Sequence, residues 1–331
     1  MPSDADQPQR SAARGGRRNH AEIVRDVVAS SSAAGRAGFA ASWRRSLVHH
    51  KIDPGQKGRS DRLSEAEIRA RREASGLLLK IATPVLDRLA RAACDAGCTV
   101  LLSDAGGLVL DERVRAGDQA DFHASNLVSG SDWSEGAEGT NGIGTCLAET
   151  RPVTVWRDQH FRAGNIGLTC MGAPVFGASG DLAGVIDVSS ARSDMTEGYA
   201  SLVSLTVQDA AQRIEGDLFR ASYQGSRILS AGSGENAPQG VMLLALDRDD
   251  LVIGATRAAR RALGIEDGQI GRLPANDVIG QGARGGLEEA QRAAMARALA
   301  RNGGNVSAAA RDLGIARATF YRKAKALNLG V

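Results

Sequence analysis

The sequence lacks the features of membrane-spanning proteins, of secreted disulfide-rich proteins and of phosphate-loop nucleotide hydrolases. No apolar run approaches the ~20 residues of a membrane-spanning helix, and the N-terminal stretch MPSDADQPQRSAARGGRRNH precedes no apolar segment of a secretory signal. Four cysteines in 331 residues are few and indicate reduced thiols. No G-x-x-x-x-G-K-[ST] motif of a phosphate loop is present. These absences predict a cytoplasmic protein with no membrane partner, no cofactor and no ATP hydrolysis.

The charge of the chain is unevenly distributed. Hydrophobic residues make up 43% and charged residues 24% of the sequence, as in a globular protein of about two domains. Residues 287–331 hold eight basic and three acidic residues, a net charge of +5 in a chain whose total is +3. A basic end on a near-neutral body is typical of a protein that meets a polyanion. A solvated helix that uses Arg for its helix propensity remains the alternative.

The hydrophobic pattern predicts an α+β fold. Residues 21–90 have helical periodicity, and Ser64 stands three residues before Glu67, which is the spacing of a capping box. From Cys98 onwards the pattern becomes that of strands, in CTVLLSDAGGLVLDERV, PVTVW and LTCMGAPVFGASGDLAGVIDVSS. Residues 196–223 return to a helix. We therefore expect an antiparallel sheet flanked by helices.

The predicted helix 196–223 carries an apolar stripe. Its members recur every three or four residues: Val203, Val207, Ala210, Ile214 and Leu218. The stripe is interpreted as the seam of a homodimer. Packing of the same stripe on the sheet of its own chain is the alternative.

Composition divides the rest of the chain. SRILSAGSGENAPQG and GIEDGQIGRLPANDVIGQGARGG are rich in Gly and polar residues, and VMLLALDRDDLVIGATRAARRALGI between them resembles the start of a PAS domain. The predicted organisation is a disordered basic arm (1–20), a helical segment (21–90), an α+β domain (91–224), a linker (225–240), a PAS-like remnant (241–265), a second linker (266–286) and a basic C-terminal domain (287–331).

The last 45 residues have the pattern of a helix-turn-helix. A helix from Leu287 to Arg301 is followed by glycines that end it, and Ser307 is predicted to cap a second helix that runs to Leu313. Gly314 then makes the turn, and a third helix begins near Arg317. The candidate DNA-contacting residues are Ser307, Arg317, Thr319, Tyr321, Arg322 and Lys323. A basic helical hairpin without a DNA partner is the alternative.

The segment GNVSAAARDLGIARATFYRKAKAL resembles the Fis-type helix-turn-helix of bacterial enhancer-binding regulators. This resemblance implies double-stranded DNA as a partner, with the third helix in the major groove. Ala324 departs from the family, which usually has a larger Leu there.

The stretch WSEGAEGTNGIGTCLAE, from Trp133 to Glu149, is not a nucleotide motif. Its glycines are spaced G-x-x-G-x-G, and no Lys follows them. Gly and Asn allow sharp turns and close approach of the backbone. Trp133 is interpreted as an apolar wall, and Thr140, Asn141 and Thr145 as neutral hydrogen-bonding groups for a small polar metabolite. The alternative is that the stretch only caps a helix that begins near Ile143, with Trp133 in the core.

The block from SDWSEGAEGTNGIGTCLAETRPVTVW to GVIDVSS resembles the GAF domain of the acetoin-catabolism regulator family, and SWRRSLVHHKIDP with LSEAEI resembles the region that precedes it. The family usually has Glu-His-Phe where this chain has Gln159-His160-Phe161. His160 is a further candidate ligand contact, with a structural histidine as the alternative. Cys170 is expected to be a small buried hydrophobe, and a zinc site at Cys94 and Cys98 is not expected.

Members of this family carry an AAA+ ATPase domain between the sensor domain and the DNA-binding domain. They act on RNA polymerase that holds the nitrogen-type sigma factor. Only about 60 residues separate Tyr223 from Leu287 here, too few for such a domain. The resemblance therefore implies a ligand-responsive, dimeric transcription regulator without ATPase activity; whether it contacts RNA polymerase is open. A GAF-type thiol enzyme, such as a free methionine sulfoxide reductase, is the rival, and it requires a reactive, exposed thiolate. A nucleoid protein that ignores ligands is a third alternative.

Overall fold

The computed structural model describes residues 19–30, 38–56, 62–232, 240–278 and 287–330. The predicted basic arm 1–20 lies almost wholly outside these ranges. The chain forms two compact units, Met1–Arg272 and Leu273–Val331. Within the described ranges, no helix combines the length and the apolar character needed to cross a bilayer.

The first unit contains nine helices and eight strands in its described part. In chain order they are α1 (His20–Ala29), α2 (Ala40–Arg44, continued by a π-helical turn Arg45–His49), α3 (Glu65–Ala74), α4 (Gly76–Ala93), β1 (Cys98–Asp104), β2 (Val109–Arg113), α5 (Gln119–Ala124), α6 (Glu135–Glu138), α7 (Gly142–Glu149), β3 (Val153–Trp156), β4 (Thr169–Phe176), β5 (Leu182–Ser190), α8 (Glu197–Ser222), β6 (Arg227–Ser230), β7 (Leu243–Leu246), β8 (Val252–Ala255) and α9 (Arg257–Leu263). Short 3-10 turns connect several of them.

The main sheet has five antiparallel strands in the order β2-β1-β5-β4-β3. β1 and β2 form the predicted hairpin, and β4 and β5 form a second hairpin through the turn at Gly177–Gly180. Side chains alternate between the faces, so Val100 and Leu102 point to one side of β1 and Leu101 to the other. The expected α+β architecture with a helix-flanked antiparallel sheet is confirmed.

Helices α4 and α8 cover one face of this sheet. Leu86 and Leu89 of α4 and Val207 of α8 share a core with residues of β1, β4 and β5. The boundary predicted between residues 90 and 91 falls inside α4. Residues 21–90 are therefore not a segment separate from the sheet, because α4 supplies part of its core.

The apolar stripe of α8 is buried within its own chain. All five predicted members belong to the same core, and Ile214 is fully buried. The interpretation of this stripe as a dimer seam is wrong, and packing on its own sheet is what the structure has. The most exposed large apolar side chains of α8 are Leu202 and Leu205, at 61% and 60% exposure.

The segment after α8 forms a second, smaller sheet. Its strands pair antiparallel in the order β6-β7-β8, and α9 follows β8. The predicted order strand, turn, strand, helix for residues 241–265 is present. Part of the predicted linker 225–240 is wrong, since Arg227–Ser230 pairs with β7; residues 233–239 lie outside the described ranges.

The second unit contains the C-terminal helices α10 (Ala275–Val278), α11 (Leu287–Arg301), α12 (Val306–Asp312) and α13 (Arg317–Ala326). The predicted linker 266–286 thus includes α10 and a 3-10 turn at Asp267–Gln269, while residues 279–286 are outside the described ranges. Met295, Ala298, Ala310, Phe320 and Ala324 form the buried centre of α11–α13.

We expect Ile214→Ala to lower the free energy of unfolding by about 2–5 kcal/mol, because the substitution leaves a cavity in the main core. Ser201→Ala, at an exposed position of the same helix, is the control and should change it by less than about 0.5 kcal/mol. Urea denaturation followed by circular dichroism measures both. Equal stabilities of the two variants would contradict the assignment of Ile214 to the core.

Candidate functional site

The C-terminal unit places α12 and α13 around a tight turn at Gly314. Gly314 has φ +65°, a conformation that favours glycine, and the N–H of Ile315 donates to the carbonyl of Ala310 at 3.0 Å. Phe320 is fully buried and anchors α13 against the other helices. The arrangement is that of a helix-turn-helix.

The start of the second helix differs from the prediction. Its cap is Asn305, whose side chain accepts a hydrogen bond from the N–H of Ala308 at 3.2 Å. Ser307 lies inside the helix, two residues after the cap and partly buried. Its predicted role as the cap is therefore wrong, because Asn305 takes the extended backbone conformation that a cap requires.

Three of the six predicted DNA contacts lie on the outer side of α13. Arg317, Tyr321 and Arg322 are exposed, and the Arg317 guanidinium stands 5.6 Å from the centre of the Tyr321 ring. Thr319 is partly buried. Lys323 turns back towards α11, where its Nζ donates to Gln291 Oε1 at 3.0 Å. The free cationic groups of the described α13 are thus Arg317, Arg322 and Lys325.

An ion pair fixes the first two helices of this unit together. Arg301, at the end of α11, donates to Asp312, at the end of α12, with Nη2–Oδ2 and Nε–Oδ2 distances of 2.8 and 3.1 Å. The pair neutralises Asp312. Asp312 is the acidic residue of α12, so α12 offers no unpaired carboxylate to the basic side chains of α13.

In the first unit, the glycine-rich stretch forms a helix cap and a close contact with the sheet. Asn141 caps α7: its Oδ1 accepts from the N–H of Gly144 at 2.8 Å, and its Nδ2 donates to the carbonyls of Trp133 and Gly139 at 3.0 and 2.8 Å. Trp133 is 2% exposed, and its Nε1 donates to the carbonyl of Asn126. Asn141 and Trp133 therefore have structural partners for these polar atoms.

The glycines of this stretch are required by space. A Cβ at Gly142 would lie 2.6 Å from the Cβ of Cys170, and one at Gly139, which has φ +71°, would lie 2.5 Å from the Phe161 ring. These distances are shorter than van der Waals contact allows. α7 can approach β4 this closely only with glycine at position 142, and the backbone before α7 can pass Phe161 only with glycine at position 139.

A buried polar network joins the glycine-rich stretch to α2. Arg45 donates to both carboxylate oxygens of Glu135, with Nε–Oε2 at 2.7 Å and Nη2–Oε1 at 2.9 Å. Ser42 donates to the same Glu135 and lies 2.6 Å from the Thr140 hydroxyl. The hydrogen bonds to Glu135 raise the pKa of Arg45. Glu135 is 6% exposed, and both of its carboxylate oxygens accept hydrogen bonds from Arg45. Ser42, Arg45 and Glu135 were not predicted, because their sequence separation of about 90 residues leaves no local signal.

Thr140 and Thr145 border a cavity of 450 Å³. Its other walls come from the start of α2, the end of α7, β3 and the turn after it: Gly38, Phe39, Glu149, Arg151, Pro152, Val153, Thr154, Val155 and Gln159. Polar groups from Thr140, Thr145, Glu149 and Gln159 face apolar groups from Phe39 and the valines. We name this space the threonine cavity.

His160 is fully buried in a chain of hydrogen bonds. Its Nδ1–H donates to the carbonyl of Arg157 at 2.9 Å, so its Nε2 is the acceptor that faces the Cys170 thiol at 3.3 Å. Burial lowers the pKa of His160 to about 4, so the ring is neutral at pH 7. Ser189 donates to the Cys170 sulfur or to Asp187, which are both in reach. The protein itself thus provides partners for both ring nitrogens of His160.

All four cysteines are buried and free. Burial raises the pKa of each thiol, to about 11 for Cys98 and well above the usual range for Cys146 and Cys170. A thiolate is the nucleophile in thiol chemistry. The structure therefore does not support the thiol-enzyme alternative.

Two sequence-family models match the chain. The model "MimR, N-terminal domain" matches residues 12–215, which is more than half of the chain, and "Bacterial regulatory protein, Fis family" matches residues 286–327. The first includes both the α2 network and the glycine-rich stretch, and the second includes α11–α13.

Curated relatives are named as transcription regulators. The acetoin catabolism regulatory protein of Cupriavidus necator is 31% identical over 72% of this chain and 36% of its own length. The acetoin dehydrogenase operon transcriptional activator AcoR of Bacillus subtilis is 28% identical over 69% and 37%. The propane 2-monooxygenase operon transcriptional activator MimR of Mycolicibacterium smegmatis is 38% identical over 30% and 17%. The chain thus spans less than two fifths of the length of these three relatives.

The crystal structure of the E. coli DhaR(N)–DhaL complex contains a similar fold. It aligns with a TM-score of 0.50 at 14% identity and covers 71% of this chain and 80% of the matched chain. At this identity the likeness concerns the fold alone.

The four thiols provide a direct check of the burial described above. A disulfide reagent at neutral pH should modify none of the cysteines of the folded protein within minutes, and all four after denaturation in urea, because the thiols are inaccessible and protonated. The reagent's absorbance counts modified thiols in both states. Rapid modification of one thiol in the folded protein would restore the thiol-enzyme alternative.

Proposed function

Since the chain belongs to the family defined by the MimR N-terminal domain, we propose that it is a ligand-responsive transcription regulator that binds specific DNA sites through α12 and α13. The observation that carries the proposal is the exposed row of Arg317, Arg322 and Lys325 on α13 of a Fis-family helix-turn-helix. The names of the curated relatives, one a regulatory protein and two operon transcriptional activators, support it. We propose a cytoplasmic location, because bacterial chromosomal DNA is in the cytoplasm.

The DNA contact is proposed to follow the geometry of a helix-turn-helix. α13 enters the major groove, where guanidinium groups donate to the O6 and N7 acceptors of guanine or to phosphates. Arg317, at the first turn of α13, and Arg322, on its outer side, are the leading candidates for base contact. Thr319 and Tyr321 flank them, while Lys323 must leave Gln291 before it can reach a phosphate. We propose that Ser307, two residues after the Asn305 cap, contacts a DNA phosphate rather than a base.

Arg317→Ala and Arg322→Ala should each weaken specific binding by about 1–3 kcal/mol, because each removes a charged donor to DNA. The DNA site is obtained by selection from a random duplex pool, and affinities are measured by fluorescence anisotropy at fixed salt. Arg297→Ala, an exposed arginine on α11, is the control and should retain affinity. If both α13 variants bind the selected DNA like the wild type, α13 is not the helix that contacts the bases.

The sensor part is proposed to be a GAF domain built on the five-stranded sheet. Its small polar metabolite is placed in the threonine cavity, where Thr140 and Thr145 offer hydroxyl groups beside apolar walls. A molecule bound there meets Thr140, and Thr140 is hydrogen-bonded to Ser42 of the α2 network. We assign Trp133, Asn141 and His160 an indirect role, since their side chains bond to backbone carbonyls and so fix the segments around the cavity. The domain assignments 91–224 and 287–331 are kept as part of the proposal, with α4 added to the sensor.

A homodimer is proposed because one helix-turn-helix reads a single half-site. Two-fold dimers read half-sites about 34–36 Å apart, one turn of DNA. The interface is placed on the outer side of α8, where Leu202 and Leu205 are exposed and Tyr199 is 37% exposed. These three side chains follow one another at three-residue intervals on the helix, and a contiguous exposed apolar patch is typical of an interaction surface.

The double variant Leu202→Asp/Leu205→Asp should be a folded monomer that binds the selected DNA weakly, because it puts two charges into the proposed interface. Light scattering gives the mass, and circular dichroism the fold. Leu77→Asp makes the same change at a 47% exposed leucine of α4 and should remain dimeric. A dimeric double variant with unchanged DNA affinity would contradict this interface.

A further inference from the structure

A second cavity lies in the first unit, between β4 and α8 on one side and α9 on the other. It measures 340 Å³ and is bounded by β4, α8, α9 and the turn that follows α7. It is distinct from the threonine cavity, although Arg151 and Pro152 border both. We name it the arginine cavity because three arginines surround it: Arg151, Arg257 and Arg261.

The arginines give the cavity a positive charge. Arg261 is exposed and forms no ion pair with any acidic residue of the described ranges. The Arg257 guanidinium stacks 4.1 Å from the centre of the Phe176 ring. Arg151 pairs with Glu149 and donates to the carbonyl of Pro152. Two of the three guanidinium groups are therefore available to a ligand.

One acidic side chain, Glu215, lines the cavity itself. Glu215 of α8 accepts a hydrogen bond from the N–H of Phe176 at 3.1 Å, and burial raises the pKa of its carboxyl to about 7. Near neutral pH it thus carries only part of a negative charge. The cavity keeps a positive balance, which a bound anion would neutralise.

The floor of the cavity is apolar. Ala173, Pro174 and Phe176 of β4 form it, with Ala211 of α8 and Ala258 of α9 on the sides. Gln208 and Gln212 add neutral amides at its edge. A phosphate ion requires polar groups on all sides, whereas a carboxylate with a short apolar body matches both the guanidinium groups and the floor.

We propose that the arginine cavity binds a small organic carboxylate, with its carboxyl group on Arg257 and Arg261 and its apolar body on Pro174 and Phe176. The ligand contacts α8, which packs on the main sheet, and α9, which follows the smaller sheet, at the same time. This goes beyond the proposed DNA-binding function. It is tested on the full chain without DNA, so its failure leaves the DNA-binding proposal intact.

The test measures binding of benzoate and isobutyrate by isothermal titration calorimetry, with benzyl alcohol and inorganic phosphate as comparison probes. Both carboxylates should bind saturably, and benzyl alcohol and phosphate should bind on the order of tenfold more weakly or not at all. R257Q/R261Q and R261Q alone should weaken benzoate binding on the order of tenfold or more. R248Q, an exposed arginine in the β7–β8 turn outside the cavity, should bind benzoate like the wild type. Melting curves check the fold of each variant, and R261Q keeps the test valid if the double variant unfolds.

A pH series separates this site from nonspecific attraction. The groups that face Glu215 are the N–H of Phe176 from β4, Arg257 and Arg261 from α9, and Arg151 from the turn after α7. Glu215 ionises as pH rises through about 7 and then repels an anion, so benzoate affinity should fall between about pH 6 and pH 8. E215Q keeps an acceptor for Phe176 and should remove most of this dependence.

Four results would overturn the proposal. They are no saturable binding of either carboxylate, equal binding of benzyl alcohol or phosphate, unchanged benzoate affinity in a folded R261Q protein, and a pH dependence that E215Q leaves intact.

Discussion

The first unit depends on the close approach of α7 to the sheet. A Cβ at Gly172 would lie 2.6 Å from the carbonyl oxygen of Gly142, and one at Gly142 would lie equally close to Cys170. Backbone therefore meets backbone where a side chain would normally separate helix from strand. Asn141 holds this geometry because its amide bonds both to the start of α7 and to the loop that precedes it. The buried placement of Thr140 and Glu135, and through them the contact with α2, follows from that approach.

Much of the fold could be predicted because helices and strands differ in hydrophobic period. The hairpins, the long helix α8 and the three C-terminal helices all have a local pattern of apolar residues. The failures have a different origin. Asn305 and Ser307 are equally good caps by residue type, and only the backbone conformation decides between them. The burial of the α8 stripe depends on which surface it meets, and an apolar stripe has the same sequence whether its partner is a sheet or a second chain.

The candidate sites were less predictable than the fold. The basic face of α13 is local in sequence, so Arg317 and Arg322 could be chosen from spacing alone. The two cavities of the first unit are built from distant segments: Phe39, Thr145 and Gln159 line one, and Phe176 and Arg257 line the other. Trp133, Asn141 and His160 were chosen for their chemistry, but buried polar side chains usually bond within the protein, and these three do.

The two cavities of the first unit share a wall that contains an ion pair. Arg151 and Pro152 border both, and Arg151 is held by Glu149, which faces the threonine cavity. Glu149 also accepts from Arg45 at 3.4 Å, so the ion pair extends to α2. Under the proposals above, a metabolite in the threonine cavity that bonds to Glu149 would loosen the hold of Glu149 on Arg151, which borders the arginine cavity. Because such coupling is reciprocal, two ligands that compete for this one ion pair must each alter the affinity of the other.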